Sequence, residues 1–94
     1  MNKYELLYIV EPDVDEERRN KILERIKGVV EQNGQIENID EWGNRKLAYE
    51  INEKTEGFYA LVTFESDKDT PKELNRVLKI TDNVMRSMIT RVDN

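Results

Sequence analysis

Apolar and polar positions alternate with a period of two from Tyr4 to Val10. This pattern predicts a strand, with Tyr4, Leu6, Tyr8 and Val10 on its fuller apolar face and Glu5, Leu7 and Ile9 on the other. Glu11-Pro12 ends it. The period then lengthens: Ile22, Leu23, Ile26, Val29 and Val30 fall on one stripe of a helix over about residues 14–33. Asp13 and Glu16 stand at capping-box spacing, and Gly34 after Asn33 reads as a helix stop in the left-handed conformation. The helix's other face carries mixed charges and is read as a solvated surface.

Residues 36–51 predict one long strand interrupted at Gly43-Asn44, where a glycine within a strand pattern marks a bulge. Residues 52–57 are expected to turn. Phe58 to Phe64 is the clearest strand, with Phe58, Ala60, Val62 and Phe64 on one face and Tyr59, Leu61 and Thr63 on the other. Thr70-Pro71-Lys72-Glu73 supplies a cap, a first-turn proline and a capping-box glutamate for a second helix, whose apolar face is Leu74, Val77, Leu78 and Ile80. Val84 to Val92 closes the chain as a strand in which Met85, Ser87 and Ile89 oppose Val84, Arg86, Met88 and Thr90.

The order β-α-β-β-α-β is the ferredoxin-like split arrangement, an α+β fold. Right-handed crossovers place both helices on one face of a four-stranded antiparallel sheet with strand order 4-1-3-2, leaving the other face open. The expected core is Leu6, Tyr8, Ile26, Val30, Ala60, Val62, Leu74, Leu78 and Ile89. The 94 residues form one domain over 1–94, without repeat or linker.

Charge changes this picture more than composition does. The net charge of −5 argues against a nucleic-acid partner, but the acidity is local. Residues 1–41 hold eleven acidic and six basic side chains, whereas residues 71–92 hold Lys72, Arg76, Lys79, Arg86 and Arg91 against Glu73 and Asp82. Cysteine and histidine are both absent, which removes thiol chemistry, the usual metal ligands and the usual general base. The chain enters its first strand at once, without the apolar stretch of a signal peptide, so a cytoplasmic location is expected.

Enzyme chemistry finds little support. Carboxylate pairs such as Glu16/Glu17 and Asp40/Glu41 sit where burial cannot raise a pKa. The loop Glu11-Pro12-Asp13 would repel the phosphate that small phosphatases of this architecture cradle after strand one. The expectation is no catalysis, no metal and no cofactor. The open sheet face is a better place for a binding site. Tyr59-Ala60-Leu61-Val62-Thr63-Phe64 approaches the pattern by which RNA-recognition motifs stack bases, but Leu61 stands where an aromatic belongs and Tyr59 is alone. The face otherwise reads as an apolar patch of Leu7, Ile9, Leu61, Val84 and Met88, crossed by an Arg86–Glu5 cross-strand pair.

Three stretches together go beyond fold class. They are Tyr4-Glu5 with Ile9 and Pro12; Trp42-Gly43-Asn44-Arg45-Lys46-Leu47-Ala48-Tyr49-Glu50-Ile51 with Gly57-Phe58-Tyr59; and Leu78 through Met88, reading L-K-I-T-D-N-V-M-R-S-M. The combination resembles the bacterial small-subunit ribosomal protein S6 family across essentially the whole chain. The resemblance implies the ferredoxin-like fold and a structural role on the central domain of small-subunit rRNA, beside ribosomal protein S18. It places the family's basic, RNA- or partner-binding positions on Lys3, Arg45, Lys46, Lys79, Arg86 and Arg91. Many members continue into a long charged tail where this chain stops at Asp93-Asn94, so tail contacts are not expected.

Arg45 and Lys46 also have a reading without any partner: charges on an edge strand that block sheet-to-sheet pairing. The protein is accordingly expected to be a monomer when free in solution. Without the resemblance, the alternative is a ferredoxin-like module that senses a small molecule or oligomerises through an edge or the sheet face.

Overall fold

The computed structural model describes residues 1–51 and 53–92. Asn52, at the expected turn, and Asp93-Asn94, at the end, lie outside the described residues. The elements are β1 (Asn2–Val10), α1 (Glu16–Glu31), β2 (Gly34–Ile51), β3 (Lys54–Ser66), α2 (Thr70–Lys79) and β4 (Val84–Arg91). The sheet runs β2-β3-β1-β4 with every pair antiparallel, as the β-α-β-β-α-β order requires. Both helices press on one face.

Their apolar stripes meet the alternating residues of the two central strands. Tyr4, Leu6, Tyr8 and Val10 of β1 and Ala60, Val62 and Phe64 of β3 pack with Ile22, Ile26 and Val30 of α1 and Leu74 and Leu78 of α2. Eight of the nine expected core residues are buried. Ile89 is the exception: it lies on the edge strand β4 and is only partly buried. Ile80 is 68% exposed, because α2 ends at Lys79 and Ile80 falls beyond the apolar stripe.

Several local readings need correction. Asp15, not Asp13, caps α1: its carboxylate accepts a hydrogen bond from the Arg18 amide at 2.9 Å. The cap of α2 comes from Asp67, whose Oδ1 accepts from the Thr70 amide at 2.9 Å and the Thr70 hydroxyl at 2.8 Å. Thr70 is therefore a donor to the cap rather than the cap itself. Gly34 is not left-handed, and α1 ends through Gln32 in the right-handed region. What Gly34 supplies is space, since a Cβ there would collide with the Glu65 carbonyl and with Ser66, its partner across the β2–β3 ladder.

The charged side of α1 is not merely solvated. Arg18 donates to Asn83 Oδ1 at 3.1 Å and to the Asp82 carbonyl at 2.9 Å, and Arg25 donates to the Thr81 hydroxyl at 3.2 Å. These arginines hold the α2–β4 loop, in which Asn83 adopts a positive φ of 74°. Arg19 covers the Phe58 ring, 4.3 Å from its centre.

The β2–β3 hairpin is longer than expected. Residues 54–57 continue β3 instead of turning, and Ile51 pairs with Lys54. Besides the extra residue Glu37 in β2, which lies between Ile36 opposite Phe64 and Asn38 opposite Thr63, two further bulges re-aim side chains. One lies at Trp42, where Gly43 takes φ +86°, as the interrupted pattern predicts. The other lies in β4 opposite the Ile9/Val10 step, with Met85 as the extra residue. It turns Val84 toward the core beside Val10 and so removes Val84 from the open face.

Candidate nucleic-acid interface

The ladder orders the open face into rows. Asn38, Thr63, Glu5 and Thr90 form a polar row; Asp40, Leu61, Leu7 and Met88 a largely apolar one. The third row runs Gly43, Tyr59, Ile9 and Arg86. Leu7, Ile9, Tyr59, Arg86 and Met88 line a depression of about 190 Å³ between these rows.

The expected Arg86–Glu5 pair is absent among the described residues. Arg86 lies opposite Ile9 and Glu5 opposite Thr90. Four residues of strand rise put them roughly 13 Å apart along the ladder, too far for an ion pair. Arg86 turns instead to Tyr49 on the distal arm of β2, donating to its hydroxyl with the guanidinium 5.8 Å from the ring centre.

Tyr59 is not alone either. Trp42 follows Asn38 and Asp40 on the same face, where the two rings stack with centres 6.1 Å apart and planes 10° apart. The indole N–H donates to Asp40 Oδ2 at 3.0 Å, and the Arg45 guanidinium lies 5.7 Å from the Trp42 ring centre. Linear alternation from Ile36 does not reveal this neighbour, because the extra residue Glu37 puts Asn38, Asp40 and Trp42 on the face opposite Ile36.

The six expected basic positions do not converge on one patch. Lys3, at the polar end of the sheet, is paired with Glu37 at 3.2 Å. Arg45 and Lys46 stand exposed on the edge strand β2. Lys79 and Arg86 come together, lining one groove between α2 and β4 with Leu78, Val84 and Met85. Arg91, which donates to Asn2 Oδ1 at 2.9 Å, lines a second stretch between the same two elements. There it is joined by Lys72, which the sequence reading left out of the site. Arg76 points its charge at Glu73, with bonds of 2.6 and 3.0 Å. The α2–β4 flank is thus bordered by four cations on an acidic protein, and contacts from such cations to phosphates would carry no base identity.

Known proteins share this fold over nearly the whole chain. The model of the family described as "Ribosomal protein S6" matches residues 3–91. The small ribosomal subunit protein bS6 of Alkaliphilus metalliredigens is 58% identical over 92 residues, covering 98% of each chain. That of Clostridioides difficile is 54% identical over 89 residues, covering 95% of this chain and 97% of its own. The crystal structure of 30S ribosomal protein S6 from Thermotoga maritima superposes with a TM-score of 0.89 at 33% identity, covering 97% of this chain and 87% of that one. With the fold and 58% identity over nearly the full length in agreement, this chain belongs to the ribosomal protein S6 family.

Proposed function

We propose that this protein binds the central domain of small-subunit rRNA together with ribosomal protein S18, using phosphate contacts along the α2–β4 flank. It is a structural component of the small ribosomal subunit in the cytoplasm. The observation that carries the rRNA-binding proposal is the four cations, Lys72, Lys79, Arg86 and Arg91, bordering the α2–β4 grooves of an otherwise acidic chain. Arg45 and Lys46, exposed on β2, are a separate cationic site for RNA or for S18.

Three or four phosphate contacts correspond to a log–log salt slope of roughly −2 to −4. The test is titration of a central-domain rRNA fragment at several salt concentrations, with and without S18. The expected result is weak, salt-sensitive binding by the protein alone and tighter binding with S18 present. Arg86→Ala and Arg91→Ala should each weaken binding almost uniformly across related RNA sequences. Affinity that ignores salt, or that S18 leaves unchanged, overturns the reading.

A further inference from the structure

We infer that the depression beside the Trp42–Tyr59 stack receives one unpaired RNA base, so that the open sheet face adds base recognition to the phosphate contacts of the α2–β4 flank. The inference rests on the proposed rRNA binding and goes further. Phosphate contacts register an RNA but cannot tell one base from another; an aromatic wall beside an apolar floor engages the base itself.

The geometry meets the requirements of such a site. Tyr59 lines the depression with one side of its ring while Trp42 backs it in a near-parallel stack. The wall is held in place, because the indole is itself fixed by its bond to Asp40. That bond also engages the nearest carboxylate of the row. Leu7, Ile9 and Met88 give the apolar floor, and Met88 is 48% exposed, so a flat ring laid there would remove apolar surface from water.

Charge decides between a base and an apolar protein side chain as the occupant. Cations close both ends of the row: Arg86 at the rim of the depression and Arg45 beyond Trp42. A nucleotide in the depression has a phosphate on either side of its base, and those phosphates meet these two cations. An apolar protein segment would instead leave both guanidiniums facing uncharged chain. The bonds that now occupy them, to Tyr49 and to the Trp42 ring, are surface contacts that exchange at small cost.

The experiment compares wild type, Tyr59→Phe, Tyr59→Leu and Arg86→Ala on a labelled central-domain rRNA fragment, with S18 present, across a salt series. Trp42 is the single tryptophan, so its emission reports on this face alone. Loss of one stacked base should weaken binding by about tenfold in Tyr59→Leu, while Tyr59→Phe stays within about twofold of wild type. The salt slope should be unchanged in Tyr59→Leu and shallower by about one in Arg86→Ala. Trp42 emission should shift on RNA binding. Tyr59→Leu binding as tightly as wild type, with silent Trp42 emission, overturns the inference and leaves the phosphate reading standing. No RNA binding by wild type overturns that reading instead. If Tyr59→Leu weakens S18 binding without RNA and spares RNA affinity, the face is a protein dock and the inference is wrong.

Discussion

Arg86 on β4 bonds the hydroxyl of Tyr49, thirty-seven residues earlier on β2, although these strands form the two opposite edges of the sheet. The contact is possible because the β2–β3 hairpin runs past the sheet and bends toward the β4 side. Gly57 permits that bend: a Cβ there would strike Ile9 and approach Leu47 and Met85. The Lys46–Ile51 stretch of β2 breaks register with β3, so the arm depends on side chains for its position.

Tyr49→Phe and Arg86→Ala should therefore loosen the arm without unfolding the protein. Amide exchange at Leu47 and Ile51 should quicken in both variants, while global stability changes by less than about 1 kcal/mol, as for exposed pairs. The double variant should exchange no faster than the faster single one, because both remove the same contact. Fully additive effects would mean the two residues act separately.

Leu78 lies under 2% exposed between α2 and the sheet, and Leu78→Ala should cost about 2–5 kcal/mol in a denaturant melt. Ile89→Ala, on the half-covered edge strand, should cost clearly less. Equal losses would mean that β4 is packed as tightly as the central strands.

The alkaline limit of stability should belong to Tyr8. Burial pushes its phenol up to about 12, and the Glu41 carboxylate adds in the same direction. The folded protein holds this proton more tightly than the unfolded chain, whose phenol titrates near 10. Stability is thus fully present below about pH 10 and falls as pH rises through about 12, by at most roughly 2–3 kcal/mol. Tyr8→Phe should flatten that decline. At the acid end the sign reverses for Asp67, whose bonds to Thr70 hold its carboxyl below the usual 3.8. Its contribution is present above that value and lost as pH falls through the lowered one. Thermal melts across pH in wild type, Tyr8→Phe and Asp67→Asn would check both limbs.

The fold was legible because its signals are local and redundant. Alternation in β1 and β3, the Ile22-Ile26-Val30 stripe and Pro71 at the head of α2 each name an element, and only one topology satisfies them together. The candidate site was less legible because bulges decide it. The extra residue Glu37 puts Trp42 on the open face and the extra residue Met85 takes Val84 off it, and periodicity alone places neither. Long-range partners were hidden for a similar reason. Nothing near Arg86 in the chain points to Tyr49, and nothing near Arg18 points to Asn83.

The same edge strand carries the last prediction. β2 spans eighteen residues at the rim, with its outer N–H and C=O groups unpaired by any other strand among the described residues, and such an edge templates pairing with a second copy. Asp40, Glu41, Arg45 and Lys46 are all exposed and flank the Trp42 bulge symmetrically, acids before and bases after. An antiparallel self-pair displaced from exact two-fold register would bring like charges together and desolvate them. The exact two-fold register would match acid to base, so charge alone does not forbid a dimer. In that register, however, the two bulges coincide, and the ladder is spoiled where it should be strongest. Charge and bulge thus guard complementary alignments. Replacing all four residues by alanine or methionine leaves the core untouched, since none of them is buried. The variant should keep its fold by circular dichroism and self-associate at concentrations where wild type sediments as a monomer. If light scattering finds the variant still monomeric at high concentration, the charges do not protect this edge.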